Sequence, residues 1–199
     1  ERYSPVDGDG WRLEVVSTMR GDDADGYRRR LGRETREDVA RSYLNYYAET
    51  FPRLEPEGTI EVVDDEDENV ITVTERYRLP AFFEDGERYL RLAETWSVVT
   101  KPRTLKRSAP YALPYPVHKR HTIEVHLGAA LEHDVKVHKV DNQHFTYIVH
   151  EGKAGEYLRV RSTLRTHGDH VDAADIAEFA KAVEEADALS GYTFVESGA

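Results

Sequence analysis

The chain has 199 residues, 38 acidic against 27 basic side chains, a formal net charge of −11 and no cysteine. That length suits one ordinary domain or two small ones, with enough buried surface to hold a core without disulfide or metal. The composition excludes disulfides, cysteine nucleophiles, Cys-ligated zinc and iron–sulfur centres, and an acidic chain without a basic block is a poor match for nucleic acid or an anionic membrane.

Residues 1–7, followed by Gly8 and Gly10, read as a flexible lead-in to a β-rich domain over 8–199. The start lacks Met and any apolar signal stretch, so the chain reads as part of a longer protein. No apolar run reaches the about 20 residues of a membrane-spanning helix. Trp11 to Met19 alternates and is rich in β-formers, which predicts a strand. Ala24 to Leu31 predicts a short helix that Gly32 ends. Thr35 to Thr50 predicts a longer helix: Thr35 opens a capping pattern, and Ala40, Leu44, Tyr47 and Phe51, with Val39 and Tyr43 beside them, give its apolar stripe before Pro52.

Thr59 to Val63 and Val70 to Leu79 flank the acidic turn 64–69 and predict a hairpin. Tyr89 to Thr100 predicts another strand. Pro102, Pro110, Pro114 and Pro116 then mark 101–117 as a linker or edge strand, because proline removes ladder donors. This is the best internal boundary, giving one domain or two lobes, 8–104 and 105–199. Strands follow at Thr122 to Leu127, Asp134 to Val140, His144 to His150 and Glu156 to Arg165, with a turn at 141–143. A helix from Ala173 to Ala188 closes the pattern, capped by Asp172 and buried through Ile176, Phe179, Ala180 and Val183; Gly191 ends it and the tail frays. The expected fold class is α+β, mainly antiparallel and β-sandwich-like, with two amphipathic helices.

All nine histidines lie between 118 and 170. The run His167-Gly168-Asp169-His170 could offer two imidazoles and a carboxylate to zinc or another divalent ion, with His118 or His121 as a further ligand. His121 and His126 fall on opposite sides of a strand, while His144 and His150 share a side about 20 Å apart. Separately hydrated histidines are the commoner state. The acidic run 64–68 could attract calcium but lacks the loop pattern of a dedicated site, and reads as a solvated hairpin tip. No serine lies in a nucleophile elbow and no glycine-rich phosphate loop occurs, so the residues name no catalytic group and no cofactor. Twelve Tyr and two Trp could build a platform for sugar or peptide, although core packing is the commoner use of such rings.

The motif order carries one resemblance. Val70-Ile-Thr-Val-Thr-Glu-Arg-Tyr-Arg-Leu-Pro80 follows a Tyr-rich helix, then come Lys101 to Pro110, Leu113-Pro-Tyr-Pro116 and His121-Thr-Ile-Glu-Val-His-Leu127, with a strand and the helix Asp172 to Ala188 at the end. This order resembles the β-rich region that follows the catalytic core in bacterial transglutaminase-like proteins, across about residues 11–195. The family's core uses Cys, His and Asp, and this chain has no Cys, so no catalytic residue carries over. The resemblance implies a non-catalytic module beside a transglutaminase-like domain of the same parent chain, in an exported or envelope-associated bacterial protein. A glycan- or peptide-binding module and a His-dependent metallohydrolase built on His167, Asp169 and His170 remain as alternatives.

Overall fold

The structure, a computed structural model, describes residues 1–6, 10–128 and 132–196. Residues 7–9 of the expected lead-in and Ser197 in the tail lie outside the described residues. The fold is α+β and mainly antiparallel. By the density of its internal packing the chain divides into two compact units, Glu1–Glu84 and Asp85–Ala199.

The first unit contains β1 (Arg2–Pro5), β2 (Trp11–Arg20), α1 (Asp22–Leu31), α2 (Arg36–Ala48), β3 (Glu55–Pro56), β4 (Glu61–Asp65) and β5 (Val70–Leu79). β2 and β5 pair along their whole length, from Trp11↔Leu79 to Arg20↔Val70. β1 pairs with β2, while β3 and β4 both pair with β5 at different positions along it. Strand alternation turns Leu13 and Val15 of β2 and Ile71, Val73, Tyr77 and Leu79 of β5 inward. Ala24 and Tyr27 of α1 and Val39 of α2 pack with Ile71 and Val73. Thr35 caps α2 as predicted, its hydroxyl accepting from the Asp38 amide at 3.1 Å. Of the predicted α2 stripe, Phe51 is buried and Ala40, Leu44 and Tyr47 are half-buried.

The expected lead-in is partly ordered structure: Arg2–Pro5 is a strand, and Tyr3 is buried against Phe51 and Phe82. The pairing of Tyr3 with Leu13 supplies the hydrogen bonds and apolar neighbours that a short, Pro-ended peptide lacks by itself.

The second unit contains β6 (Glu87–Arg91), α3 (Ala93–Trp96), β7 (Tyr111–Ala112), β8 (His118–His126), β9 (Lys136–Asp141), β10 (Phe145–Ala154), β11 (Tyr157–Thr166), β12 (His170–Val171), α4 (Ile176–Ala188) and β13 (Gly191–Val195). β8, β11, β10 and β9 form an antiparallel sheet in that order. Ile123, Val125, Leu158, Val160, Leu164, Tyr147 and Val149 line its core side. The predicted face of α4 is buried, and Phe179 meets Phe145 edge-on at 5.9 Å.

Four expectations change here. The strand expected over Tyr89 to Thr100 stops at Arg91, and Ala93–Trp96 makes a helical turn in which the Thr95 hydroxyl bonds back to the Leu92 carbonyl at 3.0 Å. α4 begins after Asp175, with no side-chain cap; the carbonyl of Asp172 instead accepts from the Asp175 amide and closes a preceding turn. The tail beyond Gly191 does not fray at once: Gly191–Val195 pairs with β6 and buries Phe194 completely. The Pro-rich strip lies inside the second unit, where Tyr111–Ala112 pairs with His170–Val171.

Candidate functional site

The histidines expected to gather do not converge. His170 Nδ1 lies 2.6 Å from Asp169 Oδ1 and its Nε2 is 3.7 Å from Asp172, all three exposed. The Asp169 carboxylate raises the His170 imidazole above its ordinary value, and the hydrogen bond from His170 lowers Asp169. His167 turns elsewhere, its Nε2 2.8 Å from Thr146 Oγ1. His121 faces the core and is buried, whereas His118 is exposed, and β-strand parity separates them. Among the described residues no group of three His, Asp or Glu side chains is arranged to hold a metal ion.

His126 points away from the core, opposite to His121 as alternation requires, and bonds Glu156 at 3.1 Å. The pair His144 and His150, expected on one side of a strand, is split. The Asn142 side chain accepts from the amides of His144 and Phe145, which holds His144 in the turn, and its ring meets Phe179 edge-on at 5.7 Å. The acidic run 64–68 is a hairpin tip: Arg28 grips Asp64 at 2.6 Å and Asp65 accepts from the Glu68 amide. Of the aromatic rings, Tyr3, Tyr27, Tyr77 and Tyr147 belong to the core, while Tyr46, Tyr89 and Tyr115 are exposed on separate elements.

Three polar groupings emerge that motif reading does not single out. In the first unit Glu75 of β5 is 3% exposed and accepts a 2.5 Å hydrogen bond from the Tyr77 hydroxyl. Burial pushes its carboxyl up to about 7; the Tyr77 bond opposes that rise, and the negative charge of Glu1 adds to it. Tyr43, Tyr47 and Tyr77 all have phenols raised by desolvation, and Tyr47 donates to Glu1 at 3.3 Å. This is a carboxyl–phenol cluster between β5 and α2, buried at Glu75 and Tyr77 and half-buried at Tyr43 and Tyr47.

In the second unit the hydroxyls of Thr95 and Ser162 are 2.6 Å apart and fully buried, which ties α3 to β11. On the same side of the sheet, Glu151 stands between His138 Nε2 at 3.3 Å and His133 Nε2 at 3.5 Å, with Lys136 Nζ at 4.0 Å. Burial, reinforced by the Glu151 charge, pushes the Tyr192 phenol up to about 12.

The third grouping is a surface. The outward side of the β8–β11–β10–β9 sheet is set by register: His118 opposes Arg165, Arg120 opposes Thr163, Thr122 opposes Arg161 and Glu124 opposes Arg159. β10 continues the rows, with Thr146 beside Arg165, Ile148 beside Thr163 and His150 beside Arg161. Arg159 is held by Glu124 at 2.6 Å and Lys139 by Asp141 at 2.6 Å. Arg120 and Arg165 are exposed and have no ion-pair partner among the described residues; Arg161 has one long contact, to Thr122 at 3.4 Å. The period-two arginines of Arg159-Val-Arg-Ser-Thr-Leu-Arg165 were a visible cue, but their meeting with Arg120 depends on strand pairing, which local sequence does not encode. The arrangement is a cationic field on the outward side of an antiparallel sheet, suited to holding an anionic partner.

No helix among the described residues is long and apolar enough to cross a membrane. No protein-family model matches the chain, and neither a curated protein nor a solved structure matches it.

Proposed function

We propose that the chain is a non-catalytic interaction module that accompanies a transglutaminase-like core in a larger bacterial protein, in the periplasm or outside the cell. The neighbour and the location rest on the motif order alone; the observation that carries the interaction role is the cationic sheet face of the second unit, with Arg120, Arg161 and Arg165 held on adjacent strands. A sheet face with exposed charged side chains favours contact with another macromolecular surface over enclosure of a small substrate. The buried polar groups fit the same reading: Thr95–Ser162 and Glu75–Tyr77 tie elements together inside the units.

The test is association in trans. The purified chain and the separately purified core of its parent are mixed and sedimented. A defined complex at micromolar concentration is the expected result; two independent species, with no change in the melting of either, would overturn the proposal.

A further inference from the structure

We propose that the outward face of the β8–β11–β10–β9 sheet docks an extended acidic polypeptide segment of a partner protein, with Arg120, Arg161 and Arg165 as its anchors. The inference rests on the reading of the chain as an interaction module and names the chemistry of one partner. Arg120 is directly opposite Thr163, so Arg161 and Arg165 are both its diagonal neighbours, at about 7–8 Å between side-chain origins. The three residues therefore stand at the corners of one triangle on the sheet, with Arg161 and Arg165 about 13 Å apart along β11. His118 borders it opposite Arg165, and His150 borders it beside Arg161.

The carboxylates on this face are already engaged, Glu124 by Arg159 and Asp141 by Lys139. What remains is uncompensated positive charge on a chain whose net charge is −11. Charge complementarity selects an anion, and arginine forks match carboxylates in a two-bond geometry. Spacing selects an extended segment, since alternate side chains of a peptide strand repeat at about 6.6 Å, close to the separation of the arginines. Ile148 and Thr163, between the anchors, offer a low, partly apolar floor for the intervening residues. A long polyphosphate fits less well: it would extend its charge over the acidic remainder of the surface, whereas a polypeptide can confine its carboxylates to the few residues that face the arginines. A sugar polymer would call for several stacking rings; Tyr157, at the opposite end of β11 from Arg165, already meets the His126 ring edge-on at 5.2 Å, and the exposed Tyr46, Tyr89 and Tyr115 lie on other elements.

The experiment uses the whole chain and a fluorescent ten-residue peptide alternating Glu and Thr, with a Gln–Thr peptide as reference, read by anisotropy. Saturable binding of the Glu peptide is expected, at least tenfold tighter than the Gln peptide and at least tenfold weaker at 200 mM than at 50 mM salt. The triple variant R120Q/R161Q/R165Q should lose at least tenfold in affinity, and Arg165→Gln alone about threefold. An equal change of charge elsewhere, R33Q/R53Q/R103Q, should lose less than twofold. Circular dichroism checks that each variant is folded; should the triple variant fail that check, Arg165→Gln against Arg33→Gln decides. Equal loss in the two triple variants, no saturable binding of the Glu peptide, or tighter binding of a sulfated oligosaccharide or single-stranded DNA of the same length would overturn the proposal. Complex formation with the parent core is a separate readout, so the docking face can fail while the module reading stands.

Discussion

The Glu75 carboxyl shows how a single charge can work against its own fold. It titrates near 7 in the folded chain against an ordinary value of 4.5. The folded state therefore binds this proton more tightly than the unfolded state. The stability associated with neutral Glu75 is fully present below about pH 4.5 and is lost as pH rises through about 7. The displacement corresponds to about 3 kcal/mol as an upper figure. Glu75→Gln keeps an acceptor for Tyr77 and removes the charge. Urea unfolding should show the variant more stable than the parent by about 1–3 kcal/mol at pH 8 and no different at pH 4; a variant less stable at pH 8 would refute the assignment. Gly10 acts through backbone alone: its φ is +125°, and a Cβ there would lie 2.8 Å from the Leu79 carbonyl oxygen. Gly10→Ala should cost roughly 1–3 kcal/mol in the same assay. The Glu75 position was legible in alternation, because Ile71, Val73, Tyr77 and Leu79 all share its side of the strand. Its significance was not, because acidic residues are abundant and only burial distinguishes this one.

At the scale of elements, the hairpins and the two longest helices were readable because their signals are local. The β4–β5 turn carries five consecutive acidic residues, α2 has its Thr35 cap, and α4 has its i, i+3, i+4, i+7 stripe. Short elements held by distant partners were not readable. β1 depends on β2, β13 depends on β6, and α3 depends on the bond from Thr95 to Ser162, which is 67 residues away in sequence. The metal-type pattern at His167, Asp169 and His170 failed to converge for the same kind of reason: neighbours in sequence point apart when one residue faces Thr146 and another pairs with Asp172. Phe194 is fully buried on β13, so Phe194→Ala should destabilise the chain by about 3–5 kcal/mol. Thr35→Ala, which removes the α2 cap, should cost about 1 kcal/mol. Equal, near-zero shifts in the urea midpoint for both would contradict these assignments.

At the scale of the molecule, two units each cover the inner side of an antiparallel sheet with helix and ring side chains, and the second presents the opposite side as an open cationic field. The α+β class followed from hairpin order and helix periodicity. The cationic field did not, because Arg120 lies 41 residues before Arg161 in the sequence and meets it only through register. On the proposed reading, reactivity belongs to a neighbouring core and this chain governs what that core contacts. The most direct measurement compares the parent protein with and without residues 1–199, following melting temperature and rates over a panel of acyl-donor substrates. The proposal predicts that the shortened protein keeps its chemistry on the simplest substrate but melts lower or loses part of the panel. Identical melting and an identical rate profile would contradict it.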